Sequence, residues 1–226
     1  MSSKPYKLNQ MRIYFNCFGG LLALPNLLDT PIYFQLMHAG EFEKAQDVIE
    51  LGSGRGYLAA LMLSRYPSVI GRVVLTDVSD ALIKRLRKRF RASHWVEIYQ
   101  VVSDPPFPYE TNSFDRFVSC FVLEMMDKVA QERYLREAHR LLREDGLLCA
   151  MVVTAGITPF SRLVMGLGQL LVWVSPWLAL GARYTNIIPL LAEKYWQVIE
   201  NRTVVSMGCT TQIIVARKVS ALRSQA

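Results

Sequence analysis

The residues with the clearest capacity for chemistry are an acid and three alternating glycines in the stretch Glu50-Leu51-Gly52-Ser53-Gly54-Arg55-Gly56. The apolar run that leads into them, residues 48–51, is typical of a buried parallel strand. Glycine has no Cβ, so such a segment can turn sharply and its backbone can approach a bound molecule closely. The stretch therefore predicts a strand, a tight turn and a helix start, with a nucleotide-like ligand at the turn.

The spacing of the glycines indicates which ligand to expect. A dinucleotide-binding turn needs G-x-G-x-x-G, whose third glycine would fall at position 57, but that residue is Tyr57 and the third glycine is Gly56. The pattern E-x-G-x-G-x-G instead resembles motif I of the class I S-adenosylmethionine-dependent methyltransferases. In that family the glycine loop passes under the amino-acid end of the cofactor. A tight turn that binds no ligand is the alternative.

Two further acids follow apolar strands. Asp77 ends the run Val73–Asp77, and the resemblance implies that it accepts hydrogen bonds from the ribose hydroxyls; a helix cap is the alternative. Asp104 follows the third predicted strand, residues 95–102, and the resemblance implies that it contacts the adenine amino group, with Phe107 nearby. Asp-Pro-Pro-Phe also matches a motif of amino-directed nucleic-acid methyltransferases, but that motif closes strand four, and here a further strand follows it.

The family topology also places the end of strand four, residues 114–121, opposite the sulfonium. No histidine pair follows at residues 122–126, where many relatives carry one, and the catalytic residues stay unknown. Tyr14 and Glu124 are the polar side chains that the topology places best to orient an acceptor. The cofactor-binding residues implied by the resemblance are Glu50, Gly52, Ser53, Gly54, Gly56, Asp77, Val78, Ser103, Asp104, Ser119, Cys120 and Phe121.

The elements that must position these residues are those of an α/β, Rossmann-like class I methyltransferase with helices on both faces of a seven-stranded sheet. The expected strand order is 3-2-1-4-5-7-6, with strand seven antiparallel. Right-handed crossovers bring the functional loops to one edge of the sheet. We expect one domain with N-terminal lid helices at 1–44, a cofactor-binding core at 45–155, a hydrophobic insertion at 156–196 and a terminal hairpin at 197–218.

Finer boundaries follow from local signals. Thr30 and Pro31 predict a helix start, Ser79 and Asp127 are predicted caps, and residues 144–146 predict a turn into strand five at 147–153. Alternation of side chains predicts hairpin strands at 203–207 and 211–218.

Composition limits the partners and the compartment. The chain has 226 residues, 51% of them hydrophobic, and a net charge of +7, which favours anionic surroundings such as lipid headgroups or nucleic acid. Its four scattered cysteines favour a reducing compartment, and its three histidines lack metal-ligand spacing, so no metal is expected. Residues 1–10 lack the apolar run of a signal peptide. We expect a cytoplasmic protein, peripheral on the cytoplasmic face of a membrane.

The hydrophobic insertion contains a run without charge, Leu163–Ala182, that is about long enough to cross a bilayer. A single crossing is excluded because strand five and the hairpin must lie in one sheet. Pro176, with Gly166, Gly168 and Gly181, predicts a broken helical hairpin in the membrane interface, flanked by Arg162 and Arg183. A lid or a dimer contact formed by residues 157–191 is the alternative.

Together these features predict S-adenosylmethionine-dependent methyl transfer to a small hydrophobic or lipid acceptor at a membrane surface. The same features bear on three other functions. A nicotinamide dehydrogenase is disfavoured by the glycine spacing. A nucleic-acid methyltransferase is disfavoured by the position of the Pro-Pro motif and by the lack of a basic, aromatic groove, so no nucleic-acid partner is expected. A methyltransferase-like module that binds membrane or protein without catalysis stays open, as do the acceptor and the oligomeric state.

Overall fold

The computed structural model describes residues 8–18, 30–174 and 183–219. Within these ranges a seven-stranded sheet forms the centre of the protein. The strands are β1 (Asp47–Leu51), β2 (Arg72–Asp77), β3 (Val96–Gln100), β4 (Phe114–Cys120), β5 (Leu142–Val153), β6 (Trp196–Ser206) and β7 (Cys209–Lys218). Their order is β3-β2-β1-β4-β5-β7-β6, and β7 runs antiparallel to both neighbours. The predicted order and the predicted antiparallel strand are confirmed.

The sheet is covered on both faces. The α-helices of the described residues are α1 (Leu8–Phe18), α2 (Thr30–Ala39), α3 (Tyr57–Arg65), α4 (Asp80–Arg89), α5 (Lys128–Leu141) and α6 (Pro159–Val174). Successive strand residues point to opposite faces, so Val48 packs in the cluster under α2 and α3, whereas Ile49 packs in the cluster under α5. The strands are therefore apolar on both sides, which explains the continuous apolar runs of the sequence.

Two helix starts have the predicted caps. The Ser79 hydroxyl accepts the Leu82 N–H at 3.2 Å, and the Asp127 carboxylate accepts the Ala130 N–H at 2.7 Å. Each satisfies an amide of the first turn that has no carbonyl partner within its helix. The cap at Ser79 places α4 immediately after Asp77, so the end of β2 and the start of α4 form one rigid corner.

Two predicted strand starts were wrong by more than two residues. β5 begins at Leu142 and runs through the predicted turn, because Leu142 pairs with Phe114 and a bulge absorbs the residues up to Leu147. Asp145 takes a left-handed φ of 60° in this bulge. β6 begins at Trp196, well before the predicted start, since its early residues pair with the end of β7. Alternation is weak there because Trp196 is the one buried side chain of β6, which is an edge strand.

For the predicted broken hairpin after β5, the structure tests only the role of its first two glycines. α6 continues through Gly166 and Gly168, so these glycines do not break it; a helical glycine costs only about 1 kcal/mol, and packing of the helix against β7 compensates. Pro176 and Gly181 lie outside the described residues. Farther along, Ile187 is fully buried in the core under α5, so this part of the insertion belongs to the globular core. Among the described residues, no helix combines the length and the apolar character needed to cross a bilayer.

Candidate functional site

A cavity of about 680 Å³ lies at the carboxyl edge of the sheet. Its volume is within the ordinary range for small-molecule sites, about 300–1,000 Å³. The ends of β1, β2, β4 and β5 contribute Leu51, Asp77, Cys120 and Val153 to the wall, and α6 and the β6–β7 turn form another part of it. The sheet order brings these ends together, because strand order changes direction between β1 and β4. The ends of β1, β2 and β4 meet there as predicted, whereas Asp104, which was predicted to join them, does not line the cavity.

The glycine loop is held in a single arrangement by hydrogen bonds. The Ser53 N–H donates to the Thr76 carbonyl at 2.8 Å, and the Gly56 N–H donates back to the Ser53 carbonyl at 2.8 Å. Gly54, between them, has a left-handed φ of 55°, and a Cβ built on it would have no heavy atom within 4 Å. Gly54 also lines the cavity. The absence of a side chain therefore leaves a cradle in which a ligand can contact the loop.

Asp77 fastens this loop to the end of β2. One carboxylate oxygen accepts the Gly54 N–H and the other accepts the Ser79 N–H, both at 2.9 Å. Burial raises the pKa of Asp77 to about 6, and these amide hydrogen bonds oppose the rise. The carboxylate is thus mainly ionised at neutral pH. Each oxygen can accept more than one hydrogen bond, so these two amide contacts and the predicted ribose contact are compatible.

Glu50 contributes a second buried carboxyl to the cavity wall. Burial, with a smaller contribution from the charge of Asp77, raises its pKa to about 8. Its Oε2 has no hydrogen-bond partner among the described residues. A buried polar atom in this state is costly, and a cationic or hydrogen-donating ligand group would satisfy it.

Glu124 supplies a third carboxyl from the 3₁₀ turn Leu123–Met125, and it also lines the cavity. Burial raises its pKa to about 8, while hydrogen bonds that include the Val153 N–H oppose the rise. That Glu124 orients an acceptor stays a prediction. Three carboxyl side chains thus line a cavity whose wall is otherwise largely apolar.

Several predicted residues are not brought to the cavity. Ser103 and Asp104 are exposed. Asp104 lies four residues beyond the end of β3 and forms an ion pair with Arg133 of α5. Ser119 is buried in β4 away from the cavity wall. Tyr14 packs in a small apolar cluster between α1 and α4, edge-on to Phe15.

The other predicted cofactor residues are close to the cavity. The wall includes Glu50, Gly52, Ser53, Gly54, Asp77, Val78, Cys120 and Phe121. Gly56 does not line the cavity; a Cβ on this residue would lie 2.6 Å from the Phe90 ring. The prediction for the glycine loop and the end of β2 therefore agrees with the geometry more closely than the prediction for the residues after β3.

Sequence reasoning missed the apolar wall. Five of the nine methionines line the cavity: Met11, Met125, Met126, Met165 and Met207. They come from α1, the loop after β4, α6 and the β6–β7 turn. Their spacing carries no pattern, because they meet only in the tertiary structure.

Helix α1 is fastened over one side of the cavity. Arg12 forms a two-pronged ion pair with Asp80, both bonds at 2.8 Å, and the Asn16 side chain accepts the Ser79 hydroxyl proton at 2.7 Å. The neighbouring face of α1 contributes Leu8 and Met11 to the wall. The start of α4 is thus bonded to two parts of the site. Ser79 and Asp80 bind α1, and the Ser79 N–H also binds Asp77, which accepts the Gly54 N–H of the glycine loop.

Part of this chain is similar in sequence to known proteins. Residues 48–146 match the family model for a methyltransferase domain. The ubiquinone/menaquinone biosynthesis C-methyltransferase UbiE of an Enterobacter species is 32% identical over 123 residues, which are 53% of this chain and 47% of that protein. The non-reducing polyketide synthase trt4 of Aspergillus terreus is 27% identical over 130 residues, which are 56% of this chain and 5% of the synthase. The chain thus spans less than half the length of these relatives.

Two solved structures share the fold over most of the chain. The N-methyltransferase NodS of Bradyrhizobium japonicum, in complex with S-adenosylhomocysteine, superposes with a TM-score of 0.63 at 14% identity, covering 85% of this chain and 88% of NodS. The cyclase SpnF superposes with a TM-score of 0.70 at 14% identity, covering 96% of this chain and 98% of SpnF. At such low identity these likenesses establish the fold and not the reaction.

Proposed function

The chain carries a domain of the class I S-adenosylmethionine-dependent methyltransferase family, and we propose that it transfers a methyl group to a small hydrophobic or lipid acceptor at a membrane surface. The observation that carries the proposal is the single cavity that joins the glycine loop to α6 and the β6–β7 turn. One end has the polar groups for a nucleoside cofactor, and the other has the apolar wall for an acceptor.

The glycine-loop end fits S-adenosylmethionine. The cofactor supplies an electrophilic methyl group on a cationic sulfur. Glu50 presents an unpartnered carboxyl oxygen that suits a cationic ligand, and Asp77 presents a carboxylate that suits neighbouring hydroxyls. Gly54 leaves the space in which the ligand lies against the loop. Residues of α1 and α6 line the cavity. Because the cofactor methyl group is already electrophilic, the protein needs mainly to align the acceptor with it, and a strong base is not required.

The outer face of α6 supports docking at a membrane. Five apolar residues recur at helical spacing along it and are between 53% and 65% exposed: Phe160, Leu163, Leu167, Leu170 and Val174. Their positions form one stripe. Arg162 is the only charged residue of this helix, and the chain carries a net charge of +7, which favours anionic headgroups.

The same helix faces the cavity on its other side. Met165 is buried and lines the cavity, between the exposed Leu163 and Leu167. Docking of the stripe would therefore bring the acceptor end of the cavity close to the bilayer. The UbiE relative is named for ubiquinone and menaquinone biosynthesis, and lipid-like acceptors of that kind would suit this placement.

Methyl transfer can be tested by incubating the protein with methyl-labelled S-adenosylmethionine and vesicles made from a total lipid extract. We expect label in the organic phase. Binding of the cofactor without label in any lipid or metabolite would refute methyl transfer and favour a non-catalytic module. The cyclase SpnF shares this fold, so the fold alone does not imply methyl transfer.

Membrane docking has a separate test by flotation on vesicles of phosphatidylglycerol and phosphatidylcholine. Leu163→Ser, Leu167→Ser and Leu170→Ser combined should weaken binding at least about tenfold, since burial of each leucine is worth about 1.5–3 kcal/mol. Trp95→Ser with Val129→Ser, exposed apolar residues elsewhere, is the control. Binding unaffected by the triple change, or a dimer that the change dissociates, would contradict membrane docking.

A further inference from the structure

Besides Glu50, two residues of the cavity wall carry a buried polar atom that has no hydrogen-bond partner among the described residues: Glu124 at Oε2 and Thr210 at Oγ1. Each side chain is only 1% exposed. Leaving such a group without a partner costs about 1–3 kcal/mol. A hydrogen-bonding group of a bound molecule is the partner that this cavity can supply.

Both residues are fastened to the same point, the carboxyl end of β5. The Val153 N–H donates to Oε1 of Glu124 at 3.4 Å, and the next amide, that of Thr154, donates to the Thr210 carbonyl at 3.1 Å. Val153 also pairs with Thr211 in the β5–β7 ladder. The ladder therefore holds Thr210 next to the strand end that anchors Glu124, and the remaining oxygen of Glu124 has no partner among the described residues.

The charge state of Glu124 selects the partner. Burial raises its pKa to about 8, so it is mainly a neutral carboxyl at pH 7, with one O–H donor and one carbonyl acceptor. The Thr210 hydroxyl also donates and accepts. A neutral hydroxyl group of a ligand can likewise donate and accept, so it can bond to both Glu124 and Thr210. An ammonium group can only donate, so it matches an ionised carboxylate better.

The surrounding wall selects the body of the molecule. The methionines of the cavity wall are accompanied by Tyr33 and Phe121. Methionine sulfur makes favourable contacts with aromatic rings and adapts to their shape, and aromatic rings pack edge to face on one another. Such a wall suits a flat aromatic body better than a branched aliphatic one.

We propose that Glu124 and Thr210 bind the hydroxyl group of an uncharged acceptor that carries this hydroxyl on an aromatic ring. The inference rests on the proposed function, because it assigns this part of the cavity to the acceptor. Glu124 and Thr210 are then the residues that distinguish a hydroxylated ring from the same ring without a free hydroxyl.

The test compares two probes that differ only at this group, 4-hexylphenol and 4-hexylanisole, by calorimetry with the full chain. The wild-type protein should bind the phenol at least about tenfold more tightly, as expected for a pair of buried hydrogen bonds. Glu124→Leu and Thr210→Val, which remove the polar atoms at similar volume, should abolish the preference. Glu124→Gln and Thr210→Ser, which keep a donor and an acceptor, should retain most of it.

Titration with S-adenosylhomocysteine serves as the check on folding, and its affinity should stay within about twofold in all four variants. Equal binding of the two probes by wild-type protein that binds S-adenosylhomocysteine, or an undiminished preference in correctly folded Glu124→Leu and Thr210→Val, would overturn this inference alone. Failure of the wild-type protein to bind S-adenosylhomocysteine would instead overturn the proposed function.

Discussion

Replacing Gly54 by asparagine should abolish cofactor binding while leaving the fold intact. Gly54 has a φ of 55°, and a Cβ at this position meets nothing within 4 Å. Asparagine is chosen because its side chain tolerates left-handed φ angles better than other bulky residues. The change therefore adds volume to the cradle without forcing the loop into a new conformation.

The cost to stability can be bounded from the geometry. A typical residue with a Cβ loses roughly 1–2 kcal/mol in the left-handed region, and asparagine loses less. The Gly54 amide keeps its bond to Asp77 at 2.9 Å, since the substitution leaves the backbone N–H in place. The free energy of unfolding should fall by less than about 1 kcal/mol, whereas the affinity for S-adenosylhomocysteine should fall at least about a hundredfold.

Gly56→Asn is the matched control for Gly54→Asn. Its φ of 69° is also left-handed, but a Cβ there would lie 2.6 Å from the Phe90 ring and 2.8 Å from Leu86. Overpacking of this kind typically costs about 1–3 kcal/mol, so this variant should lose stability in urea unfolding. Calorimetry with S-adenosylhomocysteine completes the comparison. A folded Gly54→Asn variant that binds as tightly as the wild type would refute the position assigned to the cofactor.

Three further predictions follow from the contacts around the cavity. Asp77→Ala should weaken S-adenosylhomocysteine binding about ten- to a hundredfold in calorimetry, whereas Asp104→Ala, outside the cavity wall, should change it less than about twofold. Burial raises the pKa of Glu50 to about 8, so between about pH 4.5 and pH 8 the folded protein binds more protons than the unfolded chain. The free energy of unfolding should therefore fall as pH rises through this range, by up to about 1.4 kcal/mol per pH unit. Glu50→Gln should flatten this slope in urea unfolding. Arg12→Ala, which releases α1 from Asp80, should speed S-adenosylhomocysteine dissociation in stopped-flow measurements and lower stability by less than about 1 kcal/mol.

The parts of the site that the sequence predicted are those governed by local chemistry. The glycine spacing fixes the turn after β1, and the acid at the end of β2 lies within hydrogen-bond distance of that turn, at Gly54. The sheet order followed from the resemblance together with the right-handed rule for crossovers. These features depend on short segments whose residues carry their own conformational preference.

The parts that the sequence did not predict depend on contacts between distant segments. Asp104 was assigned by the pattern of its neighbours, but the cation of Arg133 on α5 attracts its carboxylate, and no local signal reveals that pair. Tyr14 has a polar atom like an acceptor-orienting residue, yet its ring packs between α1 and α4. Thr210 and Met165 reach the cavity only because α6 packs on β7.

The cavity shows how one residue type can take different roles in different surroundings. Glu50 lies beside the charge of Asp77, which adds to the effect of burial on its pKa. A cationic ligand at that end would favour the ionised form, so its binding should release a proton from Glu50. For Glu124, burial alone raises the pKa, and the surrounding methionine side chains offer no charge to reverse the effect. On the proposed function, the first carboxyl therefore selects a charged cofactor and the second selects an uncharged acceptor.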